Sequence, residues 1–255
     1  MESDLNLNRG VLDPQKIIDT IEMLNQRISE RFPNSGLSRV CKQLDHVAEN
    51  MKTRAEWIGR PVKWLRILIW VVCLSILAFA IIPVGMYFLS ADSVPLNRIL
   101  ADPAQVITLS ESVLNDVVLI GAAMFFFLTL ETRYKRQRAL KAIHELRTIA
   151  HVIDMHQLTK DPHRIAHRGT FNATTQSPKF EMTTFQLRRY LDYCSEMLSL
   201  TGKVAAVYVQ QFDDGVALAS VSELETLTTG LSSKIWQKIA ILHTVGDDEP
   251  PKLVR

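Results

Sequence analysis

The sequence predicts an all-α fold: a two-span transmembrane helical hairpin with a cytoplasmic helical bundle formed by the N- and C-terminal helices. Two observations lead to this prediction. Two long apolar runs lie in the middle of the chain, and both ends carry apolar residues spaced three or four apart, as in amphipathic helices. No alternating pattern typical of a β-strand extends over a useful length.

The composition excludes several classes of protein. The 255 residues include 29 Lys and Arg against 27 Asp and Glu, a net charge of +2, which argues against a broad nucleic-acid-binding surface and an acidic disordered tail. Cys41, Cys73 and Cys194 form no CxxC pair, so neither a disulfide scaffold nor a thiolate zinc site is expected. We therefore expect no nucleic-acid partner.

Residues 1–61 are predicted to form cytoplasmic amphipathic helices. The Asp13–Pro14 pair has the pattern of an N-cap followed by proline in the first turn, and this helix is expected to stop before Phe32. A second helix is expected from about Ser35 to the break at Gly59–Pro61. The two apolar stripes consist of Ile17, Ile18, Ile21, Leu24 and Ile28, and of Leu37, Val40, Cys41, Leu44, Val47, Ala48, Met51 and Ala55.

The first transmembrane helix is predicted over residues 62–89. The run Ile67–Leu89 carries no charge and spans roughly 34 Å as a helix, enough for a hydrocarbon core of about 30 Å. Tryptophans cluster at its start, as in an aromatic belt. Pro83 is expected to kink this helix because proline removes a backbone donor.

Residues 90–112 are predicted to be a short extracytoplasmic loop, and residues 113–130 the second transmembrane helix. The uninterrupted apolar centre of this span is short, so Asn115 and Asp116 are expected to complete its outer turn near the headgroups. Asp116 is thereby the candidate mouth of a pore, because a ring of carboxylates in an oligomer can select cations.

The basic residues determine the predicted orientation. They crowd the flanks before the first span and after the second, whereas Arg98 is the only basic residue between the spans. By the positive-inside rule both termini are cytoplasmic, in a multi-pass protein of the cytoplasmic (inner) membrane. The N-terminal residues lack the apolar core of a signal peptide, so we expect the first span to be a signal anchor that stays in the membrane.

Residues 131–160 are predicted to continue the second span as one cytoplasmic helix, because neither Gly nor Pro occurs before Pro162. Only about two heptads of an apolar seam fit on this helix, so the seam is interpreted as one face of a bundle rather than an independent coiled coil. The seam consists of Ala139, Ile143, Leu146, Ala150 and Ile153.

Residues 161–182 are predicted to be a loop, and residues 183–255 a C-terminal helical hairpin and tail. Thr183 or Thr184 is expected to cap the first helix of this hairpin, and Asp213–Gly215 to form its turn. The two apolar stripes consist of Leu187, Leu191, Cys194, Leu198, Val204, Val207 and Tyr208, and of Leu218, Val221, Leu224, Leu227, Leu231, Ile235, Ile239 and Leu242.

The histidines are weak candidates for a metal site. His144 and His151 lie on nearly the same face of the predicted helix, with Asp154 one turn further on and His156 shortly after it. The pair His163–His167 has the i, i+4 spacing that lets two imidazoles share a metal. No HExxH or EF-hand pattern accompanies them, so we expect no metal and interpret these residues as a polar face that bonds to the neighbouring loop.

The sequence contains no catalytic constellation. There is no GxSxG motif, and Cys194 and Ser195 stand on a continuous predicted helix rather than at a strained turn. The segment Thr201–Lys203 matches the end of a phosphate-binding loop, but the first glycine of that motif is absent and no strand precedes it. We therefore expect no enzyme activity and no cofactor.

Four cations that follow the second span form a candidate headgroup collar, namely Arg133, Lys135, Arg136 and Arg138. Such residues can pair with anionic lipids, at about 1 kcal/mol each. The alternative, which we favour, is that they only direct the topology. The lipid bilayer is an expected partner in either case.

Two segments, His144–Pro162 and Leu187–Gln210, resemble a bacterial type of two-transmembrane-helix protein of uncharacterised activity. In architecture alone, the hairpin resembles the two-transmembrane effector modules of bacterial nucleotide-signalling systems. This resemblance implies perturbation of a membrane, covers only the hairpin and carries no residue-level motif.

These observations predict a non-enzymatic, membrane-anchored module that self-associates or binds a protein partner through its cytoplasmic helices. The alternative is an oligomeric ion channel or membrane-perturbing effector. It needs several subunits, because one hairpin cannot enclose a conduit and the spans contain few polar residues besides Ser75 and Thr129. A His-rich, metal-dependent membrane enzyme is the second alternative.

Overall fold

The computed structural model describes residues 11–61, 63–89, 103–162, 176, 182–210 and 212–246. Every regular element within these ranges is an α-helix, and the fold is a helical bundle. The helices are α1 (Pro14–Arg31), α2 (Gly36–Glu49), α3 (Met51–Gly59), α4 (Lys63–Leu89), α5 (Pro103–Leu158), α6 (Thr184–Val209) and α7 (Gly215–Gly246).

The chain divides into two compact units. The bundle unit consists of Met1–Gly59 and Arg136–Arg255, and the apolar unit consists of Arg60–Lys135. Within the described residues, the bundle unit contains α1, α2, α3, α6, α7 and the C-terminal part of α5, whereas the apolar unit contains α4 and the N-terminal part of α5.

Capping residues begin three of the helices, and two of them, Asp13 and Thr183, are caps that the sequence predicts. The Asp13 carboxylate accepts a hydrogen bond from the Gln15 backbone N–H at 2.9 Å, and the Ser35 hydroxyl accepts one from Ser38 at 3.1 Å. Thr183 forms a reciprocal capping box with Gln186. These bonds satisfy backbone N–H groups that have no partner inside the first turn of a helix.

Residues 35–59 form two helices rather than the single helix that the sequence predicts. The break lies at Asn50, whose side-chain amide donates to the carbonyl of His46 at 2.9 Å. An Asn side chain that bonds to the backbone in this way competes with the helical hydrogen-bond pattern. The two shorter helices, α2 and α3, still bury the whole predicted stripe.

Helix α6 is the centre of the bundle unit. It packs against α1, α2, α3 and α7, and 15 of its 26 residues are buried. That share is too large for a single apolar stripe, so α6 is enclosed on several sides. Its largest fully buried side chains are Tyr193 and Tyr208, and Phe32 meets the Tyr193 ring edge-on with 6.3 Å between ring centroids.

The predicted apolar stripes of the bundle unit are buried, with few exceptions. The seam of α5 is at most 1% exposed, and α5 thereby joins the same core as α6. Leu218 is the clearest exception, since 43% of it is exposed, while Ala217 takes the buried position. The stripe of α7 is therefore displaced by one residue at its start.

Helix α5 ends where a lysine from α7 meets its last turn. Lys238 Nζ donates to the backbone carbonyl of Gln157 at 2.8 Å and to that of Lys160 at 3.2 Å. A cation is favourable at the C-terminus of a helix, where carbonyl groups have no helical partner. Burial lowers the pKa of Lys238 from its usual value.

One helix in the described chain is long and apolar enough to cross a membrane, by length and composition. It is the Val106–Leu158 part of α5, and none of its most apolar window is buried. Among the described residues of α4, the apolar stretch is Ile67–Ala78. The all-helical bundle is thus confirmed, whereas the predicted two-span hairpin is not.

The described part of the apolar unit contains the start of α5 and the end of α4, two boundaries that the sequence predicts. Helix α5 begins at Pro103, so part of the loop predicted over 90–112 is helical, and 90–102 lie outside the described residues. Pro103 follows Asp102, the same pattern that starts α1 at Asp13–Pro14. Helix α4 continues through Pro83 to Leu89. The Pro83 side chain, where the sequence predicts a kink, lies outside the described part of the structure.

The start of α2 lies directly against α5. The imidazole of His156 covers Gly36 so closely that a Cβ added there would lie 2.9 Å from both ring nitrogens, and nearer still to Cε1. Burial, followed by the charges of Arg39 and Lys160, lowers the pKa of His156 and favours the neutral imidazole. A side chain at position 36 would therefore require the His156 imidazole to move.

We expect Gly36→Ala to destabilise the protein by about 1–3 kcal/mol, because the added methyl group displaces the imidazole. In a His156→Ala background the same change is expected to be neutral or slightly stabilising, since alanine favours a helix over glycine. Thermal unfolding of the four proteins of this double-mutant cycle measures the coupling. Equal costs in both backgrounds would contradict the proposed contact.

Candidate functional site

A positively charged groove lies between α3 and α5 in the bundle unit. We call it the cationic groove; its polar lining consists of Arg54, Trp57, Arg138, Lys141 and Glu145. Arg54 and Trp57 come from α3, and the other three are presented by successive turns of α5. The spacing of three or four residues along α5 places these three side chains on one face.

Arg138 is held against Trp57 in two ways. Its guanidinium carbon lies 4.0 Å from the centroid of the Trp57 ring, and Nη1 donates to the Trp57 carbonyl at 3.1 Å. Stacking on an aromatic face is a favourable contact for a guanidinium group and restricts its orientation. Arg138 is thereby oriented before any ligand arrives.

Arg54 is paired with an acid of the facing helix. Its Nη1 donates to Glu145, and it also lies beside the hydroxyl of the fully buried Tyr208. Burial raises the pKa of Tyr208, so this phenol remains neutral over the physiological range. The pair joins α3 to α5 at the floor of the cationic groove.

The four residues of the predicted headgroup collar have different environments. Arg133 is exposed, whereas Lys135 lies 3.0 Å from the carboxylate of Glu131, one turn earlier. Arg136 binds Asp214, and Arg138 belongs to the cationic groove. The structure therefore does not bring the four together as one set.

Arg136 and Asp214 form a bidentate ion pair between α5 and the start of α7. The guanidinium donates from Nε and Nη2 to the two carboxylate oxygens at 2.8–3.1 Å. Asp214 Oδ1 also accepts from the Ala217 N–H at 3.0 Å and so caps α7. The hydrogen bond from Arg136, chiefly, holds the pKa of Asp214 below its usual value.

The histidine candidates are not brought together. His144 and His151 are exposed, His156 packs on Gly36, and Asp154 accepts a hydrogen bond from Gln157 at 2.6 Å. Within the described chain, no three His, Cys, Asp or Glu side chains are placed so that they could hold a metal ion. The pair His163–His167 lies outside the described residues.

The possible nucleophiles are in helical interiors. Burial raises the pKa of both the Cys41 thiol and the Cys194 thiol to about 12, so neither is a thiolate at neutral pH. The Thr201 hydroxyl is buried and donates to the Met197 carbonyl at 2.8 Å within α6. The Thr201–Lys203 segment is therefore part of a helix rather than a phosphate-binding loop.

Three polar residues that bear on the pore alternative, Asp116, Ser75 and Thr129, differ in their environments. Asp116 is exposed on α5. The hydroxyls of Ser75 and Thr129 each donate to a carbonyl of their own helix at 2.8 Å, to Val71 and Phe125 respectively. These two hydroxyls already have partners inside the helices on which they stand.

The chain matches no known family model, no curated protein and no solved structure. Any statement about its function therefore depends on its own residues. From the sequence, Arg54, Arg138 and Lys141 are recognisable only as charges on either side of the two apolar runs. Their grouping into a groove depends on contacts between segments that are distant in sequence. Trp57 and Arg138 are an example, since only the fold places them together.

We expect Asp214→Asn to destabilise the protein at neutral pH, because it removes the charge while leaving an oxygen that can cap α7. Since the native pKa of Asp214 is lowered, the stabilisation is fully present above the unfolded value of about 3.9. It is lost as the pH falls through the native pKa. Thermal unfolding of both proteins between neutral and acidic pH measures this loss.

The neighbouring, exposed Asp213 provides a matched control, since Asp213→Asn makes the same change of charge without an observed partner. We expect it to have little effect at any pH. Asp214→Ala should cost roughly 1 kcal/mol more than Asp214→Asn because it also removes the cap. A pH-independent difference between wild type and Asp214→Asn would contradict the role given to the ion pair.

Proposed function

We propose that this chain is a multi-pass integral membrane protein of the cytoplasmic (inner) membrane whose helical bundle is a non-enzymatic interaction module. In this proposal α4 and the apolar part of α5 are the two spans of a hairpin, and both termini are cytoplasmic. The observation that carries the proposal is the single helix α5, which has an unburied apolar segment and a C-terminal segment packed in the bundle core.

The exposed apolar side chains support the membrane part of the proposal. Trp70 is 69% exposed in α4, and Phe125 is 73% exposed in α5. Many other large apolar residues of the two helices are also exposed, and a soluble surface rarely carries contiguous apolar patches of this kind. A lipid environment removes the cost of their contact with water.

The environments of the reactive groups support a non-enzymatic role. Cys41 and Cys194 are buried thiols, and the histidine candidates are either exposed singly or packed in the helix interface. Several of the charged residues form pairs that connect helices, such as Arg136 with Asp214 and Arg147 with Glu223. These groups have structural partners, which is typical of a scaffold.

A concave surface of the bundle supports binding of a protein. It has a volume of about 420 Å³, lies between α1, α6 and α7, and has Trp236 at its edge. Trp236 is 59% exposed, and Asp192 and Glu196 are on the facing helix α6. Tryptophan is among the residues that most often dominate binding energy at protein interfaces.

The ion-channel alternative has less support. A water-filled conduit requires polar side chains along its wall, but the Ser75 and Thr129 hydroxyls bond to their own helices. Asp116, which is exposed, is the remaining argument for a selective pore mouth. The number of subunits separates the two interpretations, because a hairpin can line a pore only in a ring.

The topology can be tested by labelling with a membrane-impermeant maleimide. In a Cys73→Ser background the other two cysteines are buried and protonated, so they should not react. We expect Glu111→Cys to be labelled on sealed cells or spheroplasts, because residue 111 lies on the outer side of the proposed hairpin. Lys42→Cys, on the exposed face of α2, should be labelled only after permeabilisation.

Labelling of both cysteines on sealed cells, or of Lys42→Cys alone, would falsify the proposed orientation. The background protein without either introduced cysteine is the control for the buried thiols. Recovery of the chain in the soluble fraction, without detergent, would contradict the membrane proposal as a whole.

The native mass of the intact protein in nanodiscs tests the interaction module. We expect a species that contains two chains, or one chain with a protein partner, and expect Trp236→Ala to shift it toward the single chain. Met23→Ala, which truncates another exposed apolar residue, is the matched control. A monomer without a partner contradicts the proposal, and a closed ring of many chains favours the channel.

A further inference from the structure

Helix α3 ends just before a proline that deprives it of a backbone donor. In an uninterrupted α-helix each carbonyl accepts from the N–H four residues later, so the donor for the Trp57 carbonyl would be residue 61. That residue is Pro61, which has no N–H, and the helix ends at Gly59. One of the last carbonyl groups of α3 therefore has no helical donor.

Arg138 of α5 supplies a donor to this carbonyl. Its Nη1 lies 3.1 Å from the Trp57 carbonyl oxygen, 81 residues away along the chain, and its guanidinium carbon lies 4.0 Å from the centroid of the Trp57 ring. A basic side chain is favourable at the C-terminus of a helix, where the carbonyl ends of the peptide dipoles gather. Arg138 is thus a cap of α3 that comes from a different helix.

The two partners are close in sequence to the points at which the chain leaves and re-enters the bundle unit. The apolar unit is Arg60–Lys135, so Trp57 lies shortly before it in the sequence and Arg138 shortly after it. Their contact joins these two segments of the bundle unit directly. A movement that separates the two segments has to break this contact.

The contact lies at the surface of the bundle unit. Trp57 is 47% exposed, and the contact borders the cationic groove, a space of about 190 Å³ between α3 and α5. Opening of the last turn of α3 would disturb one buried side chain of that turn, Ile58, whereas Met51 and Ala55 belong to earlier turns. The last turn can therefore open while the rest of α3 stays packed.

We propose that Arg138 and Trp57 form a releasable clasp, in which Arg138 replaces the N–H that Pro61 lacks and holds the end of α3 on α5. With the contact made, the last turn of α3 is closed. Without it, that turn frays while the other helices of the bundle unit keep their packing. In the proposed membrane protein the clasp joins the segments that lead to the two spans, and this last statement alone rests on the proposed function.

Hydrogen–deuterium exchange of the full chain tests the clasp, with mass spectrometry of peptides that cover residues 51–60. We expect Arg138→Gln to raise the exchange rate of the Gly59 and Arg60 amides about tenfold, the equilibrium-constant equivalent of one hydrogen bond from a charged donor. The amides of α2 should exchange as in the unmodified protein. Lys141→Gln is the matched control, because it removes a cation from the same groove and the same helix but leaves the contact with Trp57 intact.

Pro61→Ala tests the reason for the clasp. Alanine restores an N–H at position 61, so the Trp57 carbonyl can accept a hydrogen bond within its own helix. In this background we expect Arg138→Gln to raise the same exchange rates by about twofold or less, since two donors that serve one acceptor give non-additive effects. The comparison of the four proteins therefore separates capping from a general effect of the positive charge.

Equal increases in the two backgrounds would overturn the proposal, as would unchanged exchange in Arg138→Gln or an equal effect of Lys141→Gln. A rise that extends equally to α2 would also overturn it, because that rise reports loss of the whole bundle rather than opening of one turn. The exchange rates report on α3 and not on a membrane. Failure of the cysteine-labelling experiment would therefore remove the statement about the two spans and leave the result for the clasp valid.

Discussion

Burial of α6 is the interaction on which the rest of the bundle depends. This helix contacts four other helices, and its buried residues occupy more than one face. Two of its buried polar side chains have polar neighbours: Thr201 donates to a carbonyl of its own helix, and Tyr208 lies beside Arg54. Since an unpartnered polar group in such an interior costs about 1–3 kcal/mol, the hydrogen bond of Thr201 is part of what permits a threonine in the centre of this helix.

A second feature concerns α5, whose two parts differ in burial along one unbroken helical backbone. None of the most apolar window of α5 is buried. In contrast, Ala139, Leu146 and Ile153, which lie nearer the C-terminal end of the helix, are fully buried. Inside a helix every backbone group except those of the ends has a partner, so such a helix can pass between solvents without exposing polar backbone. The C-terminal end is then satisfied by Lys238 from α7.

Much of the bundle was predictable from the sequence, because helical periodicity depends only on neighbouring residues. The stripes of α1, α2 and α6 and the cap at Asp13 are confirmed for this reason, and of the two predicted candidates Thr183 is the one that caps α6. The break at Asn50 was missed because an Asn side chain inside a helical pattern can either face solvent or bond to the backbone. The start of α5 was missed although Asp102–Pro103 repeats the pattern of α1.

The candidate site was much less predictable, since it depends on pairs that are distant in sequence. Arg136 and Arg138 are two residues apart, yet one binds Asp214 of α7 and the other stacks on Trp57 of α3. A two-residue separation on a helix turns side chains by about 200°, so a run of basic residues is divided among different neighbours.

The contacts that separate Arg136 from Arg138 also restrict the orientation of each guanidinium group. A cation that is free in solution loses rotamer entropy when it binds an anion, whereas Arg138 has already lost much of it to Trp57 and to a backbone carbonyl. Arg136 is likewise oriented, because it donates to both carboxylate oxygens of Asp214. Two arginines of the collar are therefore oriented by different helices, Arg138 by Trp57 of α3 and Arg136 by Asp214 at the start of α7.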